Sequence, residues 1–254
     1  MEFISTLKAK NELLFIFGLA NFILASLFVL LSQVTSIEVS GTNAWYKPLK
    51  FALSIGIFSW TIAWFMSYLP QDKSIQIMSW LIVLMLGFEI LYIGIQAGRG
   101  QLSHYNLSTP IYGGLYVLMA FAATVVSFIT LVLAIRFFQV PLPELPGYYI
   151  WSIRAGLILF FIFSLEGFVM GANLSHTIGA SSSGKVIPFL NWSREYGDPR
   201  VAHFIGMHAL QVLPIASCYI LKDIRLTFGL VILYTLMAVH VLIQALYGQP
   251  FLKS

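Results

Sequence analysis

Seven times along 254 residues the chain runs apolar for long enough to cross the roughly 30 Å of a bilayer's hydrocarbon core. The runs lie at 11–34, 49–69, 74–98, 112–138, 149–173, 201–221 and 225–248. They are too long and too uninterrupted for membrane strands, so the expected fold is all-α: a polytopic bundle of seven transmembrane helices. Composition agrees. Only 9% of residues are charged and 59% are hydrophobic, where soluble domains carry about 25% charge. Lys8 and Lys10 precede the first run, but it is longer than a signal peptide's apolar core and no small-residue cleavage site follows. It reads as a retained helix.

An odd number of spans places the two termini on opposite sides. Loops on the N-terminal side are short, whereas the opposite side carries 43–48, 99–106 and 173–200, and with them nearly all the polar motifs. Ser181-Ser182-Ser183-Gly184 reads as a loop tip. Lys8, Lys10, Lys73, Arg136, Lys222 and Arg225 mark the N-terminal side, and Lys47, Lys50, Arg99, Lys185, Arg194, Arg200 and Lys253 the other. Lys47, Lys50, Arg99 and Arg200 sit in dense polar motifs at helix ends. Setting them aside as site residues leaves the N-terminus cytoplasmic. The net charge of +4 suits anionic headgroups, and no nucleic-acid motif is present.

The third run ends Ile95-Gln96-Ala97-Gly98-Arg99-Gly100-Gln101 and the seventh Ile243-Gln244-Ala245-Leu246-Tyr247-Gly248-Gln249. Trp45-Tyr46-Lys47-Pro48 and Tyr196-Gly197-Asp198-Pro199 are a looser echo ahead of the second and sixth runs. The single transmembrane domain of 1–254 then divides into parallel repeats, 11–106 and 149–250, joined by a linker helix at 112–138. A 3+1+3 arrangement of this kind occurs in sugar-efflux carriers. Coincidence in low-diversity membrane sequence is the other reading.

Four ionisable residues interrupt the apolar runs: Glu89, Glu166, His208 and His240. At 1.5 Å per residue each lies about 12–15 Å below the loop-rich end of its helix. A charge near the bilayer centre costs at least about 2.5 kcal/mol, so this deep layer is the candidate site. Glu89, Gln96 and Arg99 share a helix face, as do Glu166, Asn173 and His176 if the fifth helix continues that far. Lys47, Lys50, Gln96, Arg99, His104, Asn173, His176, Arg200, Gln211 and Gln244 are expected as substrate or access groups, and His203 as a catalytic partner of Glu89 and Glu166.

Three chemistries fit the deep layer. Glu89, Glu166, His208 and His240 could ligate zinc or iron for hydrolysis or redox work. His208 and His240 could be axial ligands of haem b, with the glutamates handling protons. Or the layer could be a proton relay in a small-solute transporter. The first two imply a membrane enzyme on a small or lipid-like substrate, the third a carrier. The bland alternative is that each polar side chain merely bonds a neighbouring helix. Arg99, Lys47, Lys50 and Arg200 could together hold a carboxylate, phosphate or lipid headgroup. Cys218 is the only cysteine, which excludes an intrachain disulfide and a cysteine metal site. The seventh run has no Lys for a retinal Schiff base. It also lacks the paired histidines, four apart, of the adiponectin-receptor and alkaline-ceramidase hydrolases, which this chain resembles in helix count.

Asn43-Ala44-Trp45-Tyr46-Lys47-Pro48-Leu49-Lys50-Phe51, the stretch 97–106, Leu165-Glu166-Gly167 and Arg200-Val201-Ala202-His203-Phe204 resemble a group of bacterial inner-membrane proteins. That resemblance implies an inner-membrane location and adds no mechanism.

Overall fold

Among the described residues, seven helices are long and apolar enough to cross a membrane, and the chain is an integral membrane protein. The computed structural model describes residues 2–179 and 185–252; the expected loop tip at Ser181 to Gly184, and Lys253, lie outside them. Contacts divide the chain into two compact units, Met1–Val126 and Ser127–Ser254. The boundary falls inside the fourth span, the helix left outside both copies of the sequence echo.

In unit 1 a short helix α1 (Glu2–Lys10) runs into the first span, α2 (Glu12–Val34). Asn11 separates them. Its Oδ1 accepts from Leu14 N (3.0 Å) to cap α2, and its Nδ2 donates to Ser79 Oγ (2.9 Å). Beside it the Lys10 amine donates to Ser67 Oγ (3.0 Å) and lies over the rings of Trp64 and Tyr68 at 4.1 and 4.7 Å. Burial among these groups pulls the amine below its ordinary value of 10.5.

A hairpin, β1 (Glu38–Val39) with β2 (Thr42–Asn43), leads to α3 (Tyr46–Met66). Its turn residues Ser40 and Gly41 both have positive φ, as a two-residue hairpin turn requires. α2 and α3 pack closely through small residues: Gly18 lies under Trp60 and Gly56 under Phe22, with no room for a Cβ at either. Asp72 caps α4 (Lys73–Gly98) by accepting from Ser74 N and Ile75 N. After the 99–109 loop, the first half of α5 (Pro110–Gln139) completes the unit.

Unit 2 holds the rest of α5, then α6 (Gly147–Ser164), α7 (Glu166–Ala172), α8 (Pro199–Ala216) and α9 (Ile224–Leu246). Arg154 on α6 gives Nε and Nη2 to the Phe137 carbonyl near the end of α5 (3.0 and 2.6 Å), its plane set between Phe138 and Trp151. α6 and α8 come into backbone contact at Gly156, where a Cβ would lie 2.9 Å from Ala209 O. Pro214 cannot continue the backbone ladder of α8. The helix loosens into a π turn at Ser217–Leu221 and ends at left-handed Lys222. Ser217 and Thr227 hydroxyls bond across the bend, and Asp223 caps α9.

Candidate functional site

The fifth span, Gly147–Ala172, is right-handed throughout but loosens for one residue, Leu165, at φ −69° and ψ −15°. α6 stops at Ser164, Leu165 turns, and α7 begins at Glu166. Bonds three residues apart, Leu165 N to Ile162 O (3.3 Å) and Phe168 N to Leu165 O (3.0 Å), mark the turn. His203 Nδ1 donates to the Phe163 carbonyl at 2.8 Å, and the Phe163 ring fills the space that Gly206 leaves on α8. The sequence places His203 and Gly206 one turn apart, so a single stretch of α8 seats both the carbonyl and the ring. At this turn Glu166 is buried, 6% exposed, and neither carboxylate oxygen has a hydrogen-bond partner.

The stripe expected to rise from Glu166 to His176 stops short. Asn173 ends α7, its Nδ2 folding back to Val169 O (3.0 Å), and Leu174 turns left-handed at φ 46°. His176 is therefore a loop residue.

The deep histidines of unit 2 do not gather around Glu166. His208 donates from Nδ1 to its own helix at Phe204 O (2.7 Å) and lies against the Phe204 ring. His240 is exposed. Tyr234, Ala238 and Val241 carry α9 into the unit's core, and His240 stands about 130° around the helix from that face. Among the described residues no group of three or more His, Cys, Asp or Glu could hold a metal ion. Within unit 2, then, His208 is bonded to its own helix and His240 faces away from the core.

Unit 1 holds the other deep acid. Glu89 is 6% exposed, and its Oε1 has no hydrogen-bond partner. Tyr92 and Gln96 follow at three and seven residues on the same face of α4, both buried. Above them Lys47 Nζ lies 3.0 Å from His104 Nδ1, with Ser103 Oγ 3.2 Å from the same nitrogen. The His104 ring has Phe51, Tyr105 and Tyr116 as neighbours at 5.8, 6.2 and 6.4 Å. Arg99 caps α4 with its guanidinium 5.9 Å over Tyr112. Lys50, on the same α3 turns as Lys47 and Phe51, is half-buried.

Arg200 is held by a carboxylate. Its Nε and Nη2 grip both oxygens of buried Asp198 (2.8 and 2.5 Å), and Nη2 also reaches Asn191 O (2.5 Å). It is neutralised within unit 2 and serves the loop's structure. Gln211 is half-buried on α8.

The sequence echo has the same form in both units. Gln96 Nε2 donates to Leu102 O (3.0 Å) and Gln244 Nε2 to Pro250 O (2.6 Å). Gln101 N returns to Gln96 O, and Gln249 N to Gln244 O (2.9 and 3.0 Å). Gly100 and Gly248 supply the left-handed residue at φ 64° and 73°.

Sequence reasoning missed the aromatic partners Phe51, Tyr92, Tyr112 and Tyr116. The available signals were the i, i+4 spacing of the last two and Tyr92's place between Glu89 and Gln96. Compared with protein-family models, curated proteins and solved structures, the chain matches none.

Proposed function

We propose that this chain is a membrane carrier for a small solute, coupled to protons through Glu166 and, in unit 1, Glu89. The observation that carries the reading is Glu166: a buried acid with two unpartnered oxygens, just after a one-residue turn in a spanning helix. A lone carboxylate in such surroundings is costly unless it takes a proton or a cation. Acids inside spans mark proton pathways. Two units whose third spans end in the same glutamine-locked cap support a parallel 3+1+3 plan. The scattered placement of His208 and His240 favours the carrier over a metal or haem enzyme. With Lys47, Lys50 and Arg99 set aside, six Lys and Arg remain on the N-terminal side against four on the other, which supports a cytoplasmic N-terminus.

The test uses purified protein in proteoliposomes with a trapped pH dye, challenged with panels of organic anions, amino acids and sugars. One solute class should drive proton entry in the wild type. Glu166→Gln should remove that proton movement, and Glu89→Gln should weaken it. Undiminished solute-driven proton entry in both variants would sink the proposal.

A further inference from the structure

One face of α9 repeats in sevens. Leu226, Leu233, His240 and Tyr247 are seven apart, and Gly229, Leu236 and Ile243 follow three residues after the first three of them. These are the a and d positions of an unbroken heptad stripe along the whole span. All seven residues are exposed, on the side turned away from Tyr234, Ala238 and Val241, which pack into unit 2. The leucines of the stripe need no protein against them, since lipid tails suit leucine as well as a neighbouring helix does. His240 does need one. It lies about 12 Å below Gly248, where no water meets its ring nitrogens. Among the described residues no group bonds to it. Gly229 adds a second mark. A Cβ there would meet nothing within 4 Å, and glycine is the residue that lets two spanning helices approach closely.

We propose that this stripe is the contact by which two copies of the chain pair, α9 against α9, as a twofold-symmetric dimer in the membrane. Two copies inserted the same way round are related by an axis along the membrane normal, so their α9 helices run parallel. In a parallel pair packed on a and d positions each a residue faces its own counterpart, and His240 meets the second copy's His240. A neutral imidazole has one donor nitrogen and one acceptor nitrogen, so two of them satisfy one another with no other residue required. A stripe of strict sevens drifts about 20° per heptad around a straight helix, and a left-handed crossing near +20° keeps it in contact. One polar a position among leucines also fixes the register, because sliding either helix by a turn strands both imidazoles in lipid. A different partner would have to supply a matching polar group at this depth; a second copy brings it by symmetry.

The experiment is oxidative crosslinking with copper phenanthroline in native membranes, on full chains carrying one thiol in a Cys218→Ala background. Leu233→Cys and Leu236→Cys should form disulfide-linked dimers in high yield. Val239→Cys, exposed on α9 about 90° from the stripe, should form few. Subunit counting by fluorophore bleaching in dilute proteoliposomes reads the same pair without a crosslink, and the wild type should bleach in two steps. His240→Leu should weaken the pair about threefold to twentyfold, the range of interhelical hydrogen bonds in membranes. His240→Asn keeps a donor and an acceptor and should pair more tightly than His240→Leu. Gly229→Trp, with open space around it, should keep the fold and lose pairing.

Single-step bleaching of the wild type overturns the proposal, as does equal crosslinking at Leu233→Cys and Val239→Cys. Pairing as tight in His240→Leu as in the wild type overturns it too. An unlinked Leu233→Cys that also resists a lipid-soluble maleimide would assign the face to unit 1 of the same chain. An unlinked Leu233→Cys that reacts freely would leave the face to lipid, and either result ends the dimer. Pairing needs no flux, so a dimer that moves no protons fails only as a carrier.

Discussion

The bond from His203 to Phe163 O ties the loosened helix to its neighbour. A carbonyl freed inside a span has no water to turn to, and leaving it unpaired costs about 1–3 kcal/mol. His203→Ala should therefore lower the thermal midpoint in detergent, while His203→Asn, whose amide can still donate, should recover much of the loss. Equal midpoints for all three proteins would show that the bond holds nothing. At this scale the sequence was half legible. The burial of Glu89 and Glu166 could be read directly, because an acid in a hydrocarbon run must hide. The outward turn of His240 could not. A spanning helix is apolar all round, so no polar face marks which side is out; exposed Leu233 and Leu236 look like buried Leu213 in the sequence. The cost of charge singles out an unusual residue without giving its direction.

Five of the seven spans are single helices close to the runs read from sequence: 112–138 became Pro110–Gln139, and 225–248 became Ile224–Leu246; the sixth, 201–221, became α8 with its π turn, Pro199–Leu221. The fifth loosens at one residue, and the reason lies outside its own residues. No proline marks Leu165. The turn is held by a histidine and a glycine on α8, which periodicity within 149–173 cannot register. Gly206→Ala tests this packing directly: a methyl there runs into the Phe163 ring, and overpacking of this kind costs about 1–3 kcal/mol. Gly167→Ala meets nothing within 4 Å and should leave the midpoint unchanged, so a similar drop in both would mean that α8 does not hold the turn. The glutamine caps make a second claim about elements. Gln96→Ala should speed amide hydrogen exchange at Gln101 and Leu102, and Gln244→Ala at Gln249, since each side chain ties the chain beyond its helix. Unchanged exchange in both variants would reduce the shared cap to a coincidence of backbone form.

For the molecule as a whole, an odd number of spans fixes a consequence that no single helix carries. The short connections near Lys73 and the long loop around Glu195 must lie on opposite sides of the membrane, since three spans, α4 to α6–α7, separate them. Both residues are exposed. Cys218 is the only native thiol, so a Cys218→Ala background gives a clean reporter. In intact cells, Glu195→Cys should react with a membrane-impermeant maleimide, and Lys73→Cys should react only after lysis. Labelling of both from outside would break the seven-span architecture. Reversed labelling would keep the spans but turn the molecule over, placing Lys47, Arg99 and the open ends of both glutamine caps in the cytoplasm. The distinction bears on mechanism. With the loop-rich face outside, Glu89, about two turns below Gln96 on α4, would face the side where a proton gradient supplies protons. Uptake would then run with the gradient, and export in the reversed molecule would run against it.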